Sequence, residues 1–88
     1  MVERQLEVLN ELGLHARVAS RIVRECRKFN SSIVVRKEDK DYDLKNVTGV
    51  ITCNAKRHDL LTLVFEGDDE ADAAAALEKL FFDKFGEK

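Results

Sequence analysis

Proline and tryptophan are absent from this 88-residue chain, glycine occurs four times and cysteine twice. With no proline, nothing in residues 16–29 forces a helix to break. No apolar run approaches the roughly 18–20 residues of a membrane helix. The first residues also lack the apolar stretch of a signal peptide, so a cytoplasmic protein without membrane insertion is expected. Cys26 and Cys53 do not have the paired spacing of a metal site. Nothing else suggests secretion, so both read as reduced, buried apolar residues. Neither sign of charge dominates: 15 Lys and Arg face 17 Asp and Glu, a formal net charge of −2. That balance argues against a dedicated nucleic-acid binder. No repeat or linker divides the chain, and its length suits one domain over residues 1–88 with a single core.

What is present is organised around Gly13-Leu14-His15-Ala16-Arg17. Before it, Val2, Leu6 and Val8, with Arg4 among them, alternate against Glu3, Gln5 and Glu7, the period of a half-buried strand. Residues 10–13 form a loop, with Gly13 allowing the bend. After it, Ala19, Ile22, Val23, Cys26 and Phe29 recur at helical spacing over residues 16–29. The imidazole of His15 therefore stands at a helix start, facing unpaired backbone N–H groups and the positive end of the helix dipole. With Arg17 two residues on, the arrangement suits a phosphate carried on a histidine. The opposite face of this helix carries a basic stripe, Arg17, Arg21, Arg24 and Arg27 or Lys28.

Asn30-Ser31-Ser32 breaks the helix. A strand follows at 33–36, with Ile33 and Val35 inward, or Val34 if the register shifts by one. A charged turn at 37–40 and a short arm at 41–44 complete a hairpin. Asn46 or Lys45 leads into a short helix at 47–53, ended by a left-handed Asn54. Its simplest reading buries Val47, Val50 and Ile51. Lys56-Arg57-His58-Asp59 is a charged surface turn. The clearest strand is 60–66, with Leu61, Leu63 and Phe65 on one face. Gly67-Asp68-Asp69 then turns the chain, and an aspartate is expected to cap a last helix whose apolar stripe is Ala73, Ala74, Leu77, Leu80, Phe81 and Phe85. The order is β-α-β-β-α-β-α, an α+β chain.

Residues 13–17, Phe29, Leu44-Lys45-Asn46-Val47-Thr48-Gly49-Val50 and Gly67-Asp68-Asp69-Glu70-Ala71 together resemble the histidine-containing phosphocarrier (HPr) family of the bacterial phosphoenolpyruvate-dependent phosphotransferase system. The resemblance implies an HPr-like open-faced sandwich, a four-stranded antiparallel sheet with three helices on one face. It implies a phosphohistidine at His15, formed on Nδ1. The phosphoryl group, derived from phosphoenolpyruvate, comes from enzyme I and passes to an enzyme IIA-type acceptor. No cofactor or metal is expected, and the monomeric protein would be a cycling reactant, not an enzyme. The amides of Ala16 and Arg17 and the Arg17 guanidinium would hold the phosphate. Ser20, Arg21, Arg24, Arg27, Val47, Thr48 and Ile51 would dock partners.

Four residues depart from the family pattern. Val18 replaces a proline in the first helical turn, Leu12 a Ser or Asn beside the site, and His58 a glycine. Asn46 replaces a serine that is phosphorylated in some members, which closes that route of control. A regulatory HPr-like binding module with reduced or no phosphorelay is the alternative these departures suggest. A polyanion binder using the arginine stripe is the third reading.

Overall fold

The computed structural model describes residues 1–87. Strands β1 (Val2–Glu7), β2 (Ser32–Lys37), β3 (Lys40–Asp43) and β4 (Leu60–Glu66) form one antiparallel sheet in the order β1-β4-β2-β3. The last strand in sequence thus lies inside the sheet, between β1 and β2. Val2 pairs with Phe65, and Val35 with Leu63. Because side chains alternate across a strand, Ile33, Val35, Leu61, Leu63 and Phe65 all point to one side, where they are buried. Helices α1 (Ala16–Cys26), α2 (Val47–Thr52) and α3 (Glu70–Phe82) cover that side. The other face stays open, the expected open-faced arrangement.

Local chemistry accounts for most element ends. The β2–β3 hairpin turns on Glu38 and Asp39, at φ 53° and 67°, the left-handed pair of a two-residue type I′ turn made without glycine. Asn46 caps α2 by accepting from the Thr48 N–H at 2.9 Å, and Asn54 ends it at φ 52°, as the sequence suggests. Lys37 reaches over to donate to the carbonyls of Cys53 and Asn54 at 2.8 and 3.1 Å. Cys26 and Cys53 are buried free thiols, and burial pushes the Cys26 thiol up to about 12.

Several expectations are corrected. The first helix ends at Cys26, short of Phe29. Lys28 and Phe29 bond back to the carbonyls of Glu25 and Cys26 at 3.2 Å, three residues apart, so the last turn tightens and stops. Phe29 is only half-buried. Val18 is fully buried, a core residue in the first turn of α1. In α2 only Val50 is buried, while Val47 and Ile51 remain 37% and 45% exposed. Asp69 stands at the start of α3 but does not cap it. Its carboxylate crosses to the α1–β2 junction and accepts from the N–H of Asn30 at 2.8 Å, the N–H of Ser31 at 2.9 Å and the Ser31 hydroxyl. The Ser31 hydroxyl, followed by the Asn30 amide, holds the Asp69 carboxyl below its usual range. Phe85 does not extend the α3 stripe either. It follows the helix in a short turn at Lys84–Gly86 and enters the core from there. Among the described residues, no helix is long and apolar enough to cross a membrane.

Candidate functional site

The site begins in the loop between β1 and α1. Asn10, buried, donates from Nδ2 to the carbonyl of Gly13 at 2.8 Å. The loop is stapled to the segment after α2 by the Leu14 N–H, which donates to the Ala55 carbonyl at 3.1 Å. Gly13 is needed twice over. Its φ is 69°, and a Cβ there would fall 2.6 Å from the Ala55 oxygen. The next turn brings the His15 N–H onto the Gly13 carbonyl at 3.0 Å.

His15 occupies the N-cap of α1 in extended backbone, φ −79° and ψ 178°, half a step outside the helix. Its carbonyl accepts the first helical bond, from the Ala19 N–H at 2.8 Å. The amides of Ala16 and Arg17 precede that bond, so α1 itself supplies them no acceptor. The imidazole does not cap the helix. Its Nε2 lies 2.7 Å from Oε1 of Glu87, whose Oε2 is 3.3 Å from Nη1 of Arg17. The His15 bond, opposed by partial desolvation and helped by the positive charge of Arg17, holds the Glu87 carboxyl below its usual range. An ionised carboxylate only accepts, so Nε2 carries the proton.

Ser20, Arg21, Arg24, Arg27, Val47, Thr48 and Ile51 are all exposed, but the arginines do not form one uniform stripe. Arg27 turns aside to donate to the Lys45 carbonyl at 3.1 Å. The Arg21 guanidinium lies against the chain end, where a Cβ on Gly86 would meet its Nη1 at 2.7 Å. Leu12, 74% exposed, and Ile51 line an open cleft beside His15, with Lys56 and Arg57 at its rim. His58 is exposed at φ 73°, the left-handed geometry that suits a glycine, and pairs with Glu7 at 2.9 Å. Among the described residues, no group of three His, Cys, Asp or Glu side chains could hold a metal. The sequence reading missed Asn10 and Glu87. For Asn10 an Asx-type loop residue was a faint signal; for Glu87 there was none.

A family model described as the PTS HPr component phosphorylation site matches residues 2–83. The phosphocarrier protein HPr of Treponema pallidum is 39% identical over 88 residues, covering 100% of both chains. The HPr-like protein Crh of Halalkalibacterium halodurans is 38% identical over 77 residues, 88% of this chain and 92% of Crh. The crystal structure of HPr-C-His from Thermoanaerobacter tengcongensis superposes with a TM-score of 0.95 at 39% identity, covering 100% of this chain and 99% of that one.

Proposed function

This chain belongs to the HPr family of the bacterial phosphotransferase system, and from that premise we propose that it accepts a phosphoryl group on His15 from phosphorylated enzyme I and relays it to an enzyme IIA-type acceptor. The observation that carries the reading is the partly exposed His15 imidazole at the open N-terminus of α1, with Arg17 in reach of the same point. With the proton on Nε2, the lone pair of a neutral ring sits on Nδ1. That nitrogen attacks phosphorus as the bond from phosphorus to the donor breaks and its electron pair returns to the donor. The phosphoryl oxygens accept from the Ala16 and Arg17 amides and the Arg17 guanidinium. Transfer to the acceptor reverses these steps. No cofactor takes part, and the protein is a reactant that cycles between two forms.

Exposed Val47, Thr48 and Ile51 on α2, with Ser20, Arg21 and Arg24 on α1, make a small apolar and basic surface, while Arg27, tied to the Lys45 carbonyl past the end of α1, lies at its far end. Such a surface suits brief complexes with acidic partners. Incubation with phosphoenolpyruvate and enzyme I tests the reading. The wild type gains an acid-labile phosphoryl group, and His15→Ala gains none while keeping its circular dichroism. Labelling that survives in His15→Ala, or maps to His58, sinks it. The second reading, a regulatory module that keeps the fold but no longer relays phosphate, draws on the departures at Leu12, Val18 and Asn46; it predicts no labelling of the wild type at all.

A further inference from the structure

Lys37 closes β2, and strand alternation places it on the same side of the sheet as Ile33 and Val35, toward the helices. Its side chain is only 26% exposed, and a lysine so covered needs acceptors for its ammonium. It finds them on another element: it donates to the carbonyls of Cys53 and Asn54 at 2.8 and 3.1 Å, and Oδ2 of Asp59 lies 3.8 Å away. Carbonyls at a helix end lack a donor within the helix and carry the negative end of its dipole, which favours a cation there. With six residues and Gly49 among them, α2 is too short and too weak a helix to fix its own end. The next carbonyl, that of Ala55, accepts the Leu14 N–H at 3.1 Å. Three successive carbonyls thus divide between two elements, the first two held by β2 and the third holding the loop that carries His15. Asp59 ties down the rest of the segment: its Oδ2 accepts the Lys56 N–H at 2.9 Å, and its carbonyl accepts the Val8 N–H at 2.9 Å.

We propose that Lys37 is a positioning residue for phosphoryl transfer: by fixing the Cys53 and Asn54 carbonyls it sets where the Ala55 carbonyl meets Leu14, and so where His15 stands relative to the Ala16 and Arg17 amides. This purpose rests on His15 being the phosphate carrier; the tie between Lys37 and the loop does not. Lys37 touches no reacting atom. Without its ammonium, two carbonyls lose their donor and Asp59 loses the cation beside it, so the segment after α2 shifts to find water. The loop must follow. A Cβ on Gly13 would fall 2.6 Å from the Ala55 oxygen and 3.0 Å from the Lys56 Cα, so loop and segment lie backbone against backbone with no side chain between them to absorb a shift.

Lys37→Met keeps the stem and removes the ammonium. In proton–nitrogen NMR its Leu14 N–H should exchange about tenfold faster than in the wild type, the weight of one hydrogen bond to a charged group. Labelling of His15 by phosphoramidate, a small donor that docks nowhere, should slow about tenfold, since an ångström of misplacement can cost about a hundredfold. Asp69→Ala is the control, because it loosens the fold at the far end of α1, where Asp69 holds Asn30 and Ser31. With both variants shown to be folded by circular dichroism, the control should be labelled at the wild-type rate. A wild-type labelling rate in Lys37→Met overturns the proposal. So does equal slowing in Asp69→Ala, which would make the loss one of general loosening, and so does an unchanged Leu14 N–H, which removes the route through Ala55. If the wild type takes no phosphate from phosphoramidate or from phosphorylated enzyme I, the carrier reading fails and the purpose of Lys37 with it, while the Leu14 exchange still decides whether Lys37 holds the loop.

Discussion

The carbonyl of Gly13 accepts two hydrogen bonds, one from the side chain of Asn10 at 2.8 Å and one from the backbone of His15 at 3.0 Å. One oxygen therefore couples a buried side chain to the peptide that carries the imidazole. Asn10→Ala removes the first bond and leaves the second. It should cost about 1 kcal/mol of stability, the net value of one such bond. The orphaned Oδ1 of Asn10 offsets part of it, since that atom has no partner among the described residues. Urea denaturation measures the cost, and transfer should slow as the loop loosens. Equal stability and rate would mean that the Leu14–Ala55 bond alone holds the loop.

Gly13→Ala should be worse. The left-handed backbone alone costs an alanine roughly 1–2 kcal/mol, and its Cβ would meet the Ala55 oxygen at 2.6 Å. The loop must lift from the segment after α2, moving His15 with it. Both the thermal midpoint and the transfer rate should fall together; a variant that loses stability alone would show that His15 is positioned independently of this staple.

Arg17→Ala removes the only guanidinium bonded to Glu87 among the described residues. Bonds to charged groups contribute about 1.5–3 kcal/mol, so transfer should slow roughly ten- to a hundredfold. Stopped mixing with phosphorylated enzyme I reads this directly, and an unchanged rate reduces Arg17 to a bystander.

Asp69 makes a pH prediction. Its carboxyl is held below the usual value of 3.8, first by the Ser31 hydroxyl and then by the Asn30 amide. A depressed carboxyl adds stability that is fully present above its unfolded value and is lost as pH falls through the folded one. The gap in stability between the wild type and Asp69→Ala should therefore be constant near neutrality and shrink below about pH 4. Denaturation midpoints measured from acid to neutral pH check this; a gap that persists in acid would mean that shape, not charge, ties Asp69 to Ser31.

Arg24→Glu should change stability by no more than about 0.5 kcal/mol, as an exposed substitution. If the basic side of α1 steers acidic partners, the variant should lose association rate with enzyme I at low salt and respond less to added salt. Identical salt profiles for the two proteins would make the arginines a solvated face.

Features decided within a few residues could be read without the fold. Alternation marked the buried face of β4 and left that of β2 between Ile33 with Val35 and Val34, helical spacing marked Ala19, Ile22, Val23 and Cys26, and backbone freedom marked Gly13 and Asn54. The position of His15 at a loop-to-helix boundary was legible for the same reason, since loop, bend and helix start are all local. The family pattern supplied the sheet architecture, which periodicity cannot, because many strand orders satisfy the same alternation. Packing decided the remainder. Whether Val47 and Ile51 lie inside or outside depends on how closely α2 rests on its neighbours, and an apolar residue reads alike in both places. An aspartate of Asp68-Asp69 looked like a helix cap, yet the fold brings the Asn30 and Ser31 N–H groups within 2.9 Å of Asp69, and these take its oxygens instead. Glu87 could not be seen at all: a carboxylate two residues past a buried aromatic has no local partner to announce it. Only the docking of α3 on the sheet and the left-handed turn pinned by Phe85 carry it to His15, a contact between chain positions that nothing short of the folded core relates.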